Sequence, residues 1–245
     1  MLRGVQTALR LEPVEKVSVT ILYDNEPGPP PLRHGWGFSC MLELPEALIL
    51  FDTGGDPEAL SDNMKSLGFS PSDVDILFLS HAHRDHTGGV SAVARPGLDT
   101  YVPSGFPKTL TERFLRTGLR VHVVEGPEPL SKSSASTGVM GRVVREHSLI
   151  VHVGEGLLVV TGCAHQGVVE AAERASSLTG VPVKMVLGGF HMFGMTAKRA
   201  LKVAERLRKL GVEKVIPCHC TDSRGVWALG RLYALSECVC RVGAR

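Results

Sequence analysis

The ten residues Ser80-His81-Ala82-His83-Arg84-Asp85-His86-Thr87-Gly88-Gly89 constrain this chain more than any other stretch. They follow the apolar run Asp75-Ile76-Leu77-Phe78-Leu79, which predicts a buried strand. Four side chains able to bind metal then fall within six residues. His81 and His83 are two apart, so in extended backbone they point to the same side. Asp85 and His86 add a carboxylate and a third imidazole. This spacing suits two divalent ions side by side, one on His81 and His83, the other on Asp85 and His86. Imidazole and carboxylate are ligands for zinc, iron and manganese. The alternative is a polar surface loop, but polar groups clustered at a strand end are costly to keep for packing alone. Gly88-Gly89 permits a tight turn, from which a helix is expected over about residues 89–94.

Patterning around this stretch predicts alternating elements. Val17 to Tyr23 is alternating and β-branched, and reads as a strand. The loop that follows holds Pro27, Gly28, Pro29, Pro30 and Pro31. Strands over 38–44 and 47–51 flank Pro45-Glu46, and a helix is expected over 57–67, with Pro57 in its first turn and Gly68 at its end. Further strands are expected at 99–102, 120–124, 149–153, 157–160, 183–187, 214–217 and 238–242. Helices are expected at 108–117, 168–178, 196–210 and 224–235. Residues 126–141 are weakly patterned and read as a surface excursion or a lid. In the 196–210 helix, Ala197, Ala200, Leu201, Ala204, Leu207 and Leu210 mark an inner face. Lys198, Arg199, Lys202, Arg206 and Lys209 mark a solvated one. The pattern alone gives a mixed α/β domain.

Composition narrows the function classes. The 245 residues carry a formal net charge of +2, with 5% aromatic residues and no long basic tract, so nucleic acid is not an expected partner. No apolar run approaches a membrane span, and residues 1–16 lack the apolar core of a signal peptide. A cytoplasmic protein that does not associate with membranes is expected. Six cysteines (Cys40, Cys163, Cys218, Cys220, Cys238 and Cys240) are too few for a disulfide scaffold and read mainly as small buried apolar residues. Asparagine and glutamine occur only at Asn25, Asn63, Gln6 and Gln166, a depletion that points to a hot habitat. In that setting an intracellular cysteine bridge becomes available.

The His81–Gly89 run resembles the signature of the metallo-β-lactamase superfamily. Leu48-Ile49-Leu50-Phe51-Asp52-Thr53-Gly54-Gly55 precedes it. Thr161-Gly162-Cys163-Ala164-His165, Leu187-Gly188-Gly189-Phe190-His191 and Ile216-Pro217-Cys218-His219-Cys220-Thr221 follow it. With Leu22-Tyr23-Asp24-Asn25, these stretches are similar to the branch containing the dihydropterin–ribofuranosylaminobenzene phosphate synthases and uncharacterised metal-dependent hydrolases. The resemblance spans about residues 17–221. It implies an α+β fold, a four-layer αββα sandwich, over 1–245 as one domain.

It also implies a ligand set. One ion takes His81, His83 and His165, and the other takes Asp85, His86 and His219. Zinc is favoured, with iron or manganese as alternatives. Asp52 is expected to orient a ligand, and Asp24 and Asn25 to line the pocket. His191 is read as a ligand, a general acid or a substrate contact, and Asp85 and His191 are the catalytic candidates. Most members carry Gly-Asp, with a carboxylate bridging both ions, where this chain has Gly162-Cys163. Cys163 is then a thiolate bridge or inert, and one ion instead of two remains open. His147 is the only nearby counterpart of the family's usual third histidine, at poor spacing. His34 is either pocket-lining or on a surface turn, and His122 and His152 read as structural.

Three function classes follow. The first is a hydrolase in which a metal-bound hydroxide attacks an ester or phosphoester of a small molecule. The second is a transferase condensing a dihydropterin-methyl diphosphate with a ribofuranosylaminobenzene phosphate. The third is a non-enzymatic metal-binding protein. A mononuclear iron dioxygenase also stays open. The sequence carries no indication of oligomeric state.

Overall fold

The β-branched and apolar runs pair into two sheets, described by a computed structural model over residues 9–235 and the backbone of 242–244. Strands β1 (Val17–Tyr23), β2 (Ser39–Glu43) and β3 (Leu48–Phe51) form an antiparallel meander. Strands β4 (Ile76–Phe78), β5 (Asp99–Pro103) and β6 (Arg120–Val124) continue the sheet in parallel. The second sheet takes β7 (Glu128–Pro129), β8 (Ser134–Ser136), β9 (Leu149–Val153) and β10 (Gly156–Thr161) in antiparallel order. It ends with β11 (Val183–Gly189) and β12 (Lys214–Cys218) in parallel. Strand β13 (Val242–Ala244) adds antiparallel to β1 at the free edge of the first sheet.

Parallel neighbours need crossovers, and the helices supply most of them. Helix α1 (Pro57–Ser66) links β3 to β4; Asp56 caps it by accepting from the Glu58 and Ala59 N–H groups, with Pro57 in the first turn. Helix α2 (Arg84–Thr87) follows β4, and α3 (Lys108–Arg116) links β5 to β6. Helix α4 (Val168–Thr179) links β10 to β11 and stops at Gly180, whose φ of 72° is the left-handed turn glycine accepts freely. Helix α5 (Ala197–Lys209) links β11 to β12, and α6 (Ser223–Gly230) follows β12.

Burial separates the layers. Val19, Phe51, Phe78, Val151, Leu158, Val160, Leu187 and Ile216 form the core between the sheets. Leu60, Met64, Leu77, Val90 and Phe114 pack α1 and α3 on the first sheet. Val169, Ala172, Ala200, Ala204, Leu207 and Leu229 pack α4, α5 and α6 on the second, where alanines let the helices approach closely. The result is the αββα sandwich. The carboxyl ends of β3, β4, β10, β11 and β12 deliver loops to one end of it, where α/β sheets gather ligands. Among the described residues, no helix is long and apolar enough to cross a membrane.

Several expectations need correction. The helix at the histidine run starts at Arg84, before the glycine pair, so Asp85 and His86 lie in its first turn. Gly88 and Gly89 instead sit in a following 3-10 turn, where a Cβ would collide with the Gly55 and Thr53 carbonyls. Residues 126–141 are not an excursion, because they contribute β7 and β8. Ser133, Ser134 and Ser136 are buried there, and Glu46 accepts from the Ser131 and Ser133 hydroxyls. Helix α6 ends at Gly230, five residues short of the expected end. Ala197 and Leu210, expected on the inner face of α5, are exposed. Of the strand expected at 238–242, only residue 242 is described, and Cys238 and Cys240 lie outside the described residues.

Candidate metal centre

Among the described residues, four non-glycine positions take left-handed backbone: Asp52 (φ 53°), Ala164 (56°), His191 (50°) and His219 (50°). Each lies just past the carboxyl end of β3, β10, β11 or β12. Such conformations cost on the order of 1–3 kcal/mol each and tend to cluster at functional sites. Here each turn brings its loop to the same place.

There the imidazoles of His81, His86, His165 and His219 crowd together. Ring centroids are 4.2 Å apart for His81–His86, 4.8 Å for His81–His165 and 4.8 Å for His86–His219. His83 Nδ1 comes within 3.0 Å of His81 Nε2. Asp85 Oδ2 is 3.3 Å from His219 Nε2 and 3.7 Å from His86 Nε2. Cys163 Sγ is 3.2 Å from His86 Nε2. The ligand atoms of His81, Cys163 and His165 lie within 4.8 Å of one another, as do those of His86, Cys163 and His219. The expected ligands are therefore all brought to one place.

The outer hydrogen bonds fix which nitrogen faces inward. Asp52 is fully buried; its Oδ2 lies 2.7 Å from His86 Nδ1 and accepts from the Ser80 hydroxyl at 2.7 Å. With its proton on Asp52, Ser80 Oγ accepts from His81 Nδ1 at 2.9 Å. One carboxylate thus orients two ligands, one of them through a serine. Asn25 does the same for His219. Its Nδ2 donates to the His219 carbonyl and its Oδ1 accepts from Gly37 N–H, so Oδ1 also accepts from His219 Nδ1 at 3.0 Å. Asp24 Oδ1 accepts the His219 N–H at 2.8 Å.

The Nε2 lone pairs of His86 and His219 then face each other at 3.2 Å. Two lone pairs that close repel unless something positive lies between them: a proton in the metal-free protein, or a metal ion. Ligands about 2.0 Å from one tetrahedral ion sit roughly 3.3 Å apart, so the spacing fits a shared zinc. The donor set of imidazole, carboxylate and thiol fits the same chemistry.

Charge follows this geometry. Burial opposes ionisation of Asp85, but bonding to His219 and the charge of His86 outweigh it and hold the carboxyl well below its usual range. Burial pushes His81 well below its ordinary value and lowers His83. Burial also opposes charge on His86, yet Asp52 prevails and raises it. The neighbouring Cys220, burial, and the carboxylates of Glu146 and Asp85 all raise the Cys163 thiol.

Glu146 went unnoticed in the sequence. It is fully buried. Its Oε1 accepts the Cys163 and Ala164 N–H groups at 2.9 Å each. Its Oε2 accepts the His165 N–H at 2.9 Å and Nδ1 at 2.8 Å. Burial alone would raise its pKa, but the His165 bond and nearby imidazoles lower it below the carboxylate range. A lone acid between a weakly patterned stretch and a strand offers no local signal. Its neighbour His147 is structural: its ring stacks on Phe78 at 4.0 Å, with Nδ1 on Ser136 and Nε2 on the Leu79 carbonyl.

His191 borders the site, its ring 4.6 Å from that of His165. A hydrogen bond with Cys220 raises its pKa. Cys220 is thus more than an apolar filler, since its Sγ also accepts the His191 N–H at 3.3 Å. Cys163 and Cys220 form no disulfide. His34 sits exposed on a surface turn, donating to the Asn25 carbonyl. His122 pairs with Asp99 and His152 with the Leu11 carbonyl, in the strand interiors.

Beside His219 opens a cleft of about 1240 Å³, bounded by Asp24, Asn25, Glu26, the Pro27–Pro29 loop, Trp36 and Phe193 among others. No lysine or arginine lines it among the described residues. Trp36 stands edge-on to His219 at 5.0 Å and to Phe193 at 6.1 Å. Both are exposed, at 55% and 68%.

Comparison with known proteins agrees with this architecture. Residues 37–219 match the metallo-beta-lactamase superfamily, and the chain belongs to that family. It is 28% identical over 238 residues to the 7,8-dihydropterin-6-methyl-4-(beta-D-ribofuranosyl)-aminobenzene-5'-phosphate synthase of Methanocaldococcus jannaschii, covering 77% of this chain and 81% of that protein. The structure of Tm1679, a metal-dependent hydrolase of the beta-lactamase superfamily, superposes with a TM-score of 0.79 at 23% identity, covering 94% of this chain and 98% of that one. YhfI of Bacillus subtilis, a metallo-beta-lactamase fold protein, gives 0.68 at 10% identity, covering 94% and 100%. These structures establish the fold, and the family implies an enzyme that binds divalent metal.

Proposed function

We propose that this member of the metallo-beta-lactamase superfamily is a two-ion hydrolase acting on an ester or phosphoester of a small molecule. The observation that carries this reading is the inward convergence of ligand atoms at separations of 3.0–3.7 Å, with outer partners fixing the imidazole tautomers. His81, His83 and His165 would hold one ion, and Asp85, His86 and His219 the other. Zinc suits the set best, and iron or manganese are alternatives. Bound ions supply an acidified water, with a pKa near about 7, and neutralise charge on an ester or phosphoryl oxygen.

The chain's own residues supply the rest. Asp85, held ionised, would orient the attacking water, whose proton passes to solvent. His191, its pKa raised by Cys220, faces the site beside His165 and can give a proton to the leaving group. Trp36 and Phe193 form an apolar rim that excludes water.

A second reading is the condensation of a dihydropterin-methyl diphosphate with a ribofuranosylaminobenzene phosphate. Two observations favour it: the similarity to the M. jannaschii synthase, and the aromatic, cation-free cleft beside His219. Such a cleft suits a planar, uncharged ring, with the anionic part left to the ions. Metal-loaded protein incubated with a panel of carboxylic esters and phosphoesters, and separately with the two condensation substrates, separates the readings by mass spectrometry. Turnover of an ester, lost in His191→Ala and Asp85→Asn, supports hydrolysis. A condensation product without ester turnover replaces the first reading with the second. Ordered metal with neither activity refutes both.

A further inference from the structure

We infer that Cys163 is a thiolate ligand shared by both ions, standing where most of the family places a bridging carboxylate. This rests on the two-ion reading above and adds a seventh ligand to it, so that each ion would have four protein ligands and would take the water as a fifth. Cys163 Sγ belongs to both clusters of ligand atoms: it lies within 4.8 Å of the His81 and His165 donors on one side, and of the His86 and His219 donors on the other. None of the other residues in those clusters is common to both. Its 3.2 Å approach to His86 Nε2 is close to the roughly 3.5 Å expected when a sulfur at about 2.3 Å and a nitrogen at about 2.0 Å share one tetrahedral zinc.

Close packing and hydrogen bonding hold the backbone around Cys163. Glu146 accepts the Cys163 N–H. Gly162 packs so closely on Ser80 and Asp52 that a Cβ there would collide, and a Cβ on Gly189 would lie 3.2 Å from the Cys163 Cα. Ala164 takes a left-handed turn between Cys163 and His165, whose ligand atoms lie within 4.8 Å of one another. The other sulfur nearby is not interchangeable with it. Cys220 Sγ is engaged with the His191 N–H at 3.3 Å and the Cys163 carbonyl at 3.5 Å, and it belongs to neither cluster.

A shared thiolate changes the chemistry of the pair. The S–H bond breaks as metal enters, the sulfur keeps the electron pair and the proton passes to solvent, so loading releases a proton. Thiolate also favours zinc over manganese, which prefers oxygen ligands.

Zinc alone is the probe. The protein is loaded to saturation, its zinc counted by elemental mass spectrometry, and its coordination read by X-ray absorption at the zinc edge. A shared thiolate gives two zinc ions per chain and a mean of about one sulfur per zinc at about 2.3 Å. Cys220→Ser keeps that sulfur signal, whereas Cys163→Ser and Cys163→Asp abolish it. The aspartate variant restores a carboxylate bridge and guards against simple misfolding. A mean near half a sulfur per zinc places the thiolate on one ion and overturns the inference, as does a sulfur signal that survives in Cys163→Ser. Two zinc ions without sulfur overturn it while leaving the two-ion reading intact. Failure to bind zinc removes both.

Discussion

Replacing Glu146 with glutamine tests the least expected part of the site. The carboxylate accepts four hydrogen bonds at 2.8–2.9 Å in a fully buried position. Glutamine keeps one oxygen and turns an amide NH2 toward the other pair of donors. If the NH2 faces the Cys163 and Ala164 N–H groups, two accepted bonds are lost; if it faces His165, the backbone N–H bond is lost and the imidazole must switch tautomer. Losses of this kind cost roughly 3–5 kcal/mol. For 245 residues, an unfolding entropy of about 2.1 cal/mol/K per residue converts that to a fall in Tm of roughly 6–10 °C. The assay is thermal unfolding of metal-free protein, paired with zinc titration against a chelator. Zinc affinity should drop about 10–100-fold, because His165 loses the partner that fixes its ring. The pH dependence has a definite sign. Glu146 is depressed in the folded state, so its stabilisation is present above the unfolded value near about 4.3 and is lost as pH falls through the folded value. The gap between wild type and Glu146→Gln should therefore narrow in acid. A variant melting within about 1 °C of wild type, with unchanged zinc affinity, would refute the role assigned to Glu146.

Asp52→Asn should weaken zinc binding about 10–100-fold at both ions, since Asp52 orients His86 directly and His81 through Ser80. Weakening of one ion alone, in a competitive titration, would contradict that shared role. Burial lowers His147 to about 4, so the unfolded chain takes up a proton first as pH falls below about 6.5. Stability should drop by up to about 3 kcal/mol between those values, and His147→Gln should flatten the drop in a pH series of denaturant melts. Glutamine can still donate to the Leu79 carbonyl and accept from Ser136, and equal slopes in the two proteins would count against the assignment. Arg206→Ala, by contrast, should cost less than about 1 kcal/mol, because its pairs with Glu170 and Glu173 are exposed. A larger loss in urea unfolding would mean that the helix pair depends on them.

What the sequence determined is the local chemistry. Alternation of side chains after a buried strand already points His81 and His83 the same way. Apolar periodicity locates most of the strands and helices, so the ends of β10 and β12, where His165 and His219 stand, could be read without coordinates. The tertiary structure decided everything that depends on partners far apart in the chain. Asn25 fixes the tautomer of His219 across a separation of 194 residues, and Asp52 holds His86 from 34 residues away. Glu146 carries no local pattern, and the Gly162-Cys163 pair marks Cys163 without deciding between a bridge and an inert thiol. Their places arise because the ends of β9 and β10 meet the loops that bear the histidines, which brings a buried carboxylate and a thiol to that point. Residues 126–141 differ from their expected surface course for the same reason: the Ser131 and Ser133 hydroxyls are satisfied by a distant carboxylate, Glu46. Periodicity reports which face of an element is apolar. Only the packing of one element on another decides which polar groups find partners there.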